Sequence, residues 1–355
     1  MDLTGNTPSA PVLKWRSRFL WLGLLIVVLL AVILIATAIG SVRIPLRTTG
    51  SILLDKLPFL RMPGIWTTAQ EDIVWQLRLP RVIMAGIVGA ALSVAGATYQ
   101  GLFRNPLADP YLIGVAQGAA LGAVIGFLLP VAGVGLSLGV VPLMAFIGAM
   151  LSVAVVYGLA RVGKALPMST LILAGVALGA LLGAVVAYLT LTSGQIMRSI
   201  LFWLSGSFRL SQWNEIKIVL PIILTGSIVL MLFSRSLNLM QLDEDQAQQL
   251  GVNVESLKVV LLSIATLITA AAVSFVGIIG FVGIIVPHAV RLIWGPDHRF
   301  LLPLSMVSGA ILLILGDLLA RTVIAPSEIP IGVVTALAGA PFFLYILRRR
   351  ARMLF

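Results

Sequence analysis

The sequence contains no cysteine and only two histidines, His288 and His298, among its 355 residues. Without cysteine the chain forms no disulfide and carries no thiolate. A disulfide-stapled fold, a thiolate metal site and thiol catalysis are therefore excluded. Acidic residues are also scarce, with 13 aspartates and glutamates in total. Because so few histidine and carboxylate ligands are available, we expect no dedicated metal site in this chain.

Charged residues make up only 10% of the chain, whereas 59% of its residues are hydrophobic. An average soluble domain is about 25% charged and about 45–50% apolar. A soluble protein of this length could not bury so large an apolar fraction, because its surface must be covered largely by polar groups. The composition therefore predicts a polytopic membrane protein, for which the lipid bilayer is the solvent.

The net charge of +11 comes from 24 lysines and arginines that are scattered between apolar runs. A nucleic-acid-binding protein would instead show a basic face with interleaved aromatic residues, so we expect no nucleic-acid partner. Basic residues cluster before the first apolar run, at 14–18, and after the last one, at 348–352. Such clusters typically mark the cytoplasmic side of a membrane protein, which predicts that both termini are cytoplasmic.

The apolar runs are near the length of about 20 residues that a helix needs to cross the hydrocarbon of a bilayer. The first run is longer than the apolar core of a usual signal peptide, which favours a retained span. The run at 257–294 is too long for one crossing, and Gly277, Gly280 and Gly283 lie where its backbone could turn back. We therefore predict an all-α fold with about ten transmembrane helices, two of them within 257–294 and the others at 19–41, 82–103, 111–130, 138–160, 168–192, 216–233, 301–322 and 331–347.

These spans predict one transmembrane domain at 19–347, preceded by a cytoplasmic segment at 1–18 and followed by a basic cytoplasmic tail at 348–355. The outer segment 42–81 breaks the rule that basic residues collect inside. It carries Arg43, Arg47, Lys56, Arg61, Arg78 and Arg81. This excess of positive charge on the outer face requires a specific explanation.

Small residues recur within the spans, as in Gly-Ala-x-x-Gly-Ala at 179–184 and Ala-Gly-Ala at 338–340. Such residues let helices approach closely in lipid, so helix packing is their expected role. The stretch at 90–96 also resembles the stretch at 271–277, and each is followed ten residues after its glycine by a proline. If these are repeats, they cross the membrane in opposite directions, which predicts an inverted internal repeat.

The longest hydrophilic stretch on the inner side is 234–256, and it contains a short amphipathic pattern that a glycine, Gly251, is suited to end. A solvated loop helix and a docking element for a cytoplasmic partner both fit this pattern. The segment 158–165 matches a phosphate-binding loop except at its last position, where Ala165 replaces the Ser or Thr that would bind Mg²⁺. Any ATP hydrolysis must therefore come from another chain.

Two further inner loops, 103–110 and 294–299, contain prolines and reverse the polarity of the chain, which predicts tight turns. Their acidic residues lie at the membrane interface and not at the midplane. An ion-coupled secondary transporter is therefore only a distant alternative. An intramembrane enzyme is less favoured still, because Asp317 and Arg321 form an i, i+4 pair without a nucleophile or second carboxylate. Arg321 could equally extend to the outer surface of the membrane.

Six segments in order resemble the FecCD-type permeases, which are the ABC importer subunits for ferric siderophores, haem and cobalamin. These segments are Leu77–Arg81, Gln100–Pro110, Gly280–His288, Gly295–Arg299, Glu328–Leu337 and Gly339–Phe343. The resemblance extends over about 77–350, and the first 70 residues carry no such motif.

The resemblance implies the permease of a type II ABC importer in a bacterial or archaeal cytoplasmic membrane. The permease is implied to bind no cofactor, and its partners are a second permease subunit, as homodimer or heterodimer, two cytoplasmic ATPases that bind ATP and Mg²⁺, and an external substrate-binding protein. A ferric siderophore is the expected substrate, with haem and cobalamin as alternatives.

The same resemblance implies roles for individual residues. Arg78, Arg81 and Arg321 match outer-face arginines that meet glutamates of the binding protein. Asn105 and Leu107 match the cytoplasmic gate region, and 194–208 matches a small outer helix near the exit of the path. The surface that contacts the ATPases is matched by Asp243, Glu244, Asp245, Gln246, Ala247 and Gly251.

Overall fold

The computed structural model describes residues 15–40, 42–57, 59–60, 62, 64, 66–129, 139–163, 165–242 and 244–354. Within them no β-strand occurs, and the long helices are linked by short turns. The helices are α1 (Trp15–Ala38), α2 (Leu46–Asp55), α3 (Thr68–Asp72), α4 (Leu79–Leu102), α5 (Val115–Leu128), α6 (Val140–Ala160), α7 (Met168–Thr192), α8 (Met197–Leu204), α9 (Trp213–Leu232), α10 (Ser234–Leu239), α11 (Glu244–Gln249), α12 (Val254–Val276), α13 (Val282–Trp294), α14 (His298–Thr322) and α15 (Ile331–Leu354).

Seven helical segments of this part of the chain are long and apolar enough to cross a membrane, and they contain α1, α4, α6, α7, α9, α12 and α14. Three shorter apolar helices, α5, α13 and α15, complete the set. The all-α, multi-pass architecture that the sequence predicts is thereby confirmed. The remaining helices are short and connect the spans.

Helix α4 lies at the centre of the bundle and is buried along most of its length. A π-helical segment, Ile73–Arg78, joins α3 to α4 in one continuous helix. Helix α14 packs antiparallel against α4, and a Cβ at Gly89 would lie 2.2 Å from the carbonyl oxygen of Gly309. Helices α5 and α6 approach as closely, because a Cβ at Gly122 would lie 1.9 Å from the carbonyl oxygen of Met144. These glycines set the distance between neighbouring helices.

The long apolar run at 257–294 is broken as predicted. Helix α12 ends at Val276, and Gly277 follows with a φ of +79°, a conformation that glycine adopts without steric cost. Phe281 then has a φ of +70° immediately before α13 begins at Val282. The break gives two helices of 23 and 13 residues in place of one.

Several helix boundaries differ from the prediction. Helix α5 has 14 residues because Pro110–Ile113 form a 3₁₀ turn, whose amide at Tyr111 is capped by the Asp109 side chain. Helix α15 continues to Leu354, so the basic segment predicted as a tail at 348–355 extends that helix over its described part. Hydropathy alone did not reveal these boundaries, because turns and helices at a membrane surface have similar compositions.

The close helix contacts do not involve the first glycine pair that the sequence suggested. Gly179 and Gly183 have only ordinary contacts, with a Cβ at each lying at least 3.6 Å from Gln117. Gly339 does pack tightly, because a Cβ there would lie 2.4 Å from the ring of Phe281. The two stretches of the suggested repeat also differ locally, since Gly96 lies inside α4 whereas Gly277 follows the end of α12. The inverted repeat stays a prediction.

The bundle has two polar ends, which we name by their residues. The arginine end is formed where α1 and α14 finish and α4 begins, and it contains Arg81 and Arg321. The α11 end is formed where α4 finishes and α12 and α14 begin, and it contains α11 and the α4–α5 loop, 103–114.

Candidate functional site

At the arginine end, Arg81 is held by two carboxylates. Its Nε and Nη2 donate to Asp317 at 2.8–3.1 Å, and its Nη1 donates to both carboxylate oxygens of Glu328 at 3.0 and 3.1 Å. The Asp317 side chain is 2% exposed and that of Glu328 is 27% exposed. Bidentate pairs of this kind fix the guanidinium plane, so Arg81 is oriented by the chain itself.

Arg321 and Arg78 also have partners inside the chain. Arg321 Nε lies 3.6 Å from Asp317, which confirms the predicted i, i+4 pair, and Arg321 Nη2 donates to the carbonyl of Ala36. Arg78 is 7% exposed, and its Nη1 donates to the carbonyl of Ala38 at 2.7 Å. Arg78 therefore satisfies carbonyl groups at the end of α1 that the helix leaves unpaired. Whether these arginines also meet a binding protein stays a prediction.

A cavity of about 740 Å³ opens beside these arginines. Its charged lining residues are Arg78, Arg81, Arg209, Arg321 and Glu328. Among the described residues that line the cavity, four arginines against one glutamate give a positive lining, even though Arg81 is internally paired. Such a lining attracts anionic groups.

A second cavity, of about 490 Å³, lies next to the first and shares Arg209 with it. Helix α8 supplies Arg198, Phe202 and Trp203 to its wall, and Phe275 supplies another aromatic ring. Helix α8 is the short helix that the resemblance implies within 194–208. The second cavity thus combines two cationic groups with aromatic faces.

At the α11 end, the segment matched to the ATPase-contacting surface forms a short helix with two distinct faces. Ala247 is buried, whereas Asp245, Gln246 and Leu250 are exposed. Gly251 ends the helix with a φ of +86°, and its amide and that of Val252 bind back to the last turn of the helix. Glu244 is turned toward Lys258 and Arg104, so its carboxylate belongs to the inner face. Asp243 lies outside the described residues.

The predicted gate residues lie in the tight turn that follows α4. The amide of Leu107 donates to Asn105 Oδ1 at 3.0 Å, and the amide of Asn105 donates to the carbonyl of Gln100. These bonds confirm the predicted turn, while the gate role stays a prediction. Burial raises the pKa of the neighbouring Asp109 to about 6, although its hydrogen bond from Tyr111 opposes this shift.

The second predicted turn, between α13 and α14, is confirmed as well. Asp297 caps α14 by accepting from the amide of Arg299 and also binds the Asn238 side chain at 2.7 Å. Burial would raise the pKa of Asp297, but the bonds from Arg299 and Asn238 outweigh it and lower the pKa to about 2.

Sequence reasoning missed Glu328, Arg209 and Lys258 as members of polar sites. Glu328 lies 247 residues from its partner Arg81, so no local spacing indicates that pair. The pair of Lys258 with Glu255 could have been predicted, because Glu255 precedes Lys258 by three residues on the same helix. The two side chains are paired at 3.0 Å.

The chain is similar to known transport proteins in sequence and in fold. The FecCD transport family matches residues 27–349. The cobalamin import system permease protein BtuC of Halobacterium salinarum is 42% identical, over 91% of this chain and 94% of its own. The hemin transport system permease protein HmuU of Yersinia pestis is 39% identical, over 93% of this chain and 96% of its own. A solved inward-facing structure of a metal-chelate type ABC transporter has a TM-score of 0.80 at 33% identity, covering 93% of this chain and 99% of the other.

The apolar helices and the similarity in fold define a multi-pass α-helical membrane transport protein. The chain belongs to the FecCD transport family, because the family match extends over nearly the whole of its length. This confirms the resemblance drawn from the sequence, and the relatives named above are permeases of import systems.

Proposed function

We propose that this chain is the permease subunit of an ABC importer that takes up a bulky, anionic metal chelate. The observation that carries the proposal is the pair of polar surfaces at opposite ends of one helical bundle. The arginine end offers a positive cavity, and the α11 end offers a short helix with an exposed polar face. An importer needs one surface that receives substrate and another that receives an ATPase.

In this proposal the arginine end faces outward and the α11 end faces the cytoplasm, with both termini inside. Each of two ATPase subunits binds the exposed face of α11 in one permease subunit. ATP is hydrolysed in the ATPases, because Ala165 lacks the hydroxyl that a phosphate-binding loop requires. A substrate-binding protein with acidic residues docks at the arginine end. A second permease subunit completes the path.

The second cavity supports an anionic chelate as substrate. Arg198 and Arg209 are both exposed there, beside Phe202 and Trp203. Guanidinium groups bind carboxylates and other anions, while aromatic faces pack against planar rings. Ferric siderophores and haem carry such groups, which makes them the first candidates. Cobalamin is the alternative, and the relative from Halobacterium salinarum is named for its import.

The decisive experiment reconstitutes the permease with an ATPase subunit and a substrate-binding protein from the same organism. ATP-dependent uptake into proteoliposomes is measured for iron-55 siderophores, for haem and for cobalt-57 cobalamin. We expect uptake of one anionic chelate, and we expect Arg198→Gln to reduce it. Uptake of cobalamin alone would overturn the substrate class, and absence of ATP-dependent uptake of any chelate would overturn the importer.

A matched control distinguishes the loss of an arginine from the substrate cavity from the loss of one positive charge anywhere on the protein. Arg235 is an exposed arginine on α10, at the α11 end. Arg235→Gln removes the same charge as Arg198→Gln but leaves both cavities unchanged, so uptake should stay at the level of the unmodified protein. An equal loss in the two variants would assign the effect to net charge and not to the cavity.

A further inference from the structure

Lys258 lies near the beginning of α12 and is only 2% exposed, although lysine is rarely buried unless it is paired. Its Nζ donates to Glu244 Oε2 at 2.8 Å and to Glu255 Oε1 at 3.0 Å. Glu255 is on α12 itself, whereas Glu244 is the first residue of α11. One ammonium group therefore fastens the start of α11 to the start of α12.

The other carboxylate oxygen of Glu244 faces the α4–α5 loop. Glu244 Oε1 lies 3.6 Å from Arg104 Nη2, and Arg104 Nη1 donates to the carbonyl of Leu242 at 3.2 Å. Arg104 has a φ of +51°, which is uncommon for a residue with a side chain and requires support from the surroundings. Gln241 also donates to the carbonyl of Gly101 at 3.0 Å. The residues that lead into α11 are thus bound to the end of α4.

The loop between α6 and α7 joins the same cluster through one residue. The carbonyl of Leu166 lies 3.5 Å from Lys258 Nζ, and the amide of Leu166 donates to Glu255 Oε2 at 2.7 Å. Leu166 is itself 2% exposed, so this contact lies inside the protein. Within the part of the chain that the structure describes, Arg104, Lys258, Glu244 and Glu255 thus connect α11, α12 and the two loops.

We propose that the chain Arg104–Glu244–Lys258 is the link through which displacement of α11 moves the α4–α5 and α6–α7 loops. Arg104 and Lys258 act as positioning residues in this link, since they transmit movement without contacting substrate. The inference rests on the proposed binding of an ATPase to α11.

The geometry supports transmission of movement from α11 to the loops, because one face of α11 is exposed and the other contacts the bundle. Asp245 and Gln246 point away from the bundle and are available to a partner, whereas Glu244 points inward. An ATPase that shifts α11 must either carry the two ion pairs along or separate them. Separating the Lys258–Glu244 pair removes one of the two carboxylates that hold a nearly fully buried ammonium group, which is unfavourable, so the loops follow the helix.

The first experiment measures coupling in the permease–ATPase complex supplied with binding protein and the chelate that it transports. Uptake and ATP hydrolysis are both recorded for Arg104→Gln, Lys258→Met, Glu244→Gln and the double variant Arg104→Gln/Glu244→Gln. We expect uptake per ATP to fall by about fivefold or more, the lower range of coupling between sites, while hydrolysis continues. The double variant should be no worse than Glu244→Gln alone, because that change already breaks the Arg104–Glu244 contact together with the Lys258–Glu244 pair.

The control is Arg299→Gln, which removes an arginine at the same end of the bundle. The Arg299 side chain is 39% exposed, as is that of Arg104, but it pairs with Asp297, which caps its own helix. Uptake per ATP should stay unchanged in this variant. Loss of hydrolysis together with uptake in Arg104→Gln would show that the cluster only assembles the complex, and an unchanged ratio would show that it transmits nothing.

A second readout separates this inference from the proposed function. Hydrogen exchange of the backbone is followed by mass spectrometry with and without a non-hydrolysable ATP analogue bound to the complex. In the unmodified protein both α11 and segment 103–109 should change their exchange, and in Arg104→Gln only α11 should. If α11 never responds, ATPase binding there is wrong. If α11 responds and 103–109 responds equally in both proteins, the link is wrong.

Discussion

At the scale of single residues, the arginine end depends on one buried carboxylate. Asp317 is 1% exposed and faces both Arg81 and Arg321, two guanidinium groups that would otherwise face each other. Glu328 is the more exposed second partner of Arg81. Removing Asp317 should therefore destabilise the fold more than removing Glu328, because an arginine left without its carboxylate is less favourable the more deeply it is buried.

Replacement of Asp317 tests this difference. Asp317→Asn removes the carboxylate that Arg81 and Arg321 share and leaves Arg81 with Glu328, and we expect a loss of stability of about 3 kcal/mol. Glu328→Gln changes a partly exposed pair and should cost about 1 kcal/mol or less. Thermal unfolding of the purified protein in detergent gives the comparison. Equal midpoints for the two variants would contradict the assigned roles.

Asp109 gives the α4–α5 loop a dependence on pH. Its pKa is raised to about 6 in the folded protein by burial, whereas an unfolded aspartate titrates near 4. Between these values the folded state holds a proton that the unfolded state has released, so stability decreases as the pH rises through this range. The pKa difference of about two corresponds to a contribution of about 3 kcal/mol to the decrease.

The matched variant is Asp109→Asn, which keeps an oxygen acceptor for the amide of Tyr111 but cannot titrate. Its thermal midpoint should fall less than that of the unmodified protein between about pH 4 and pH 7. Parallel midpoints in the two proteins across this range would exclude Asp109 as the titrating group.

At the scale of elements, the end of α11 depends on the backbone conformation of Gly251. Gly251 ends the helix at a φ of +86° and has open space where a side chain would project. A β-branched residue disfavours that backbone conformation, so Gly251→Val should distort the end of α11 without a steric clash elsewhere. We expect hydrolysis by the complex to continue while uptake falls.

Gly194→Val is the control for backbone effects. Gly194 also has a positive φ, of +61°, and open space around it, but it lies beyond the end of α7 at the arginine end. Its substitution introduces the same conformational strain far from α11. Uptake per molecule of ATP should then stay close to that of the unmodified complex, and an equal loss in both variants would argue against a coupling role for α11.

The sequence predicts the helices better than it predicts which side chains contact each other between helices. The spans and the break near Gly277 follow from length and hydropathy, which are local properties. The pairing of Arg81 with Asp317 joins residues 236 positions apart, and its existence depends on how α4 and α14 pack. The sequence therefore indicated an excess of positive charge near Arg78 and Arg81 but not that both are engaged inside the chain.

At the scale of the whole molecule, the positive cavity at the arginine end predicts how an acidic binding protein approaches. Charge reversal at Arg78 or Arg81 would break contacts that stabilise the fold, so it cannot isolate docking. Glu328 and Arg209 are better probes. Glu328→Gln removes a negative charge from the cavity lining, and Arg209→Gln removes an exposed positive charge from it.

We expect Glu328→Gln to accelerate association with the binding protein and Arg209→Gln to slow it, each by about twofold or more at low ionic strength. Both differences should vanish in about 1 M salt, where the screening length is about 3 Å. Arg235→Gln, at the α11 end, makes the same charge change as Arg209→Gln and should leave the rate unaltered. The measurement is the association rate of the binding protein with the permease–ATPase complex in nanodiscs. If neither cavity substitution changes the association rate, the docking surface lies elsewhere on the molecule.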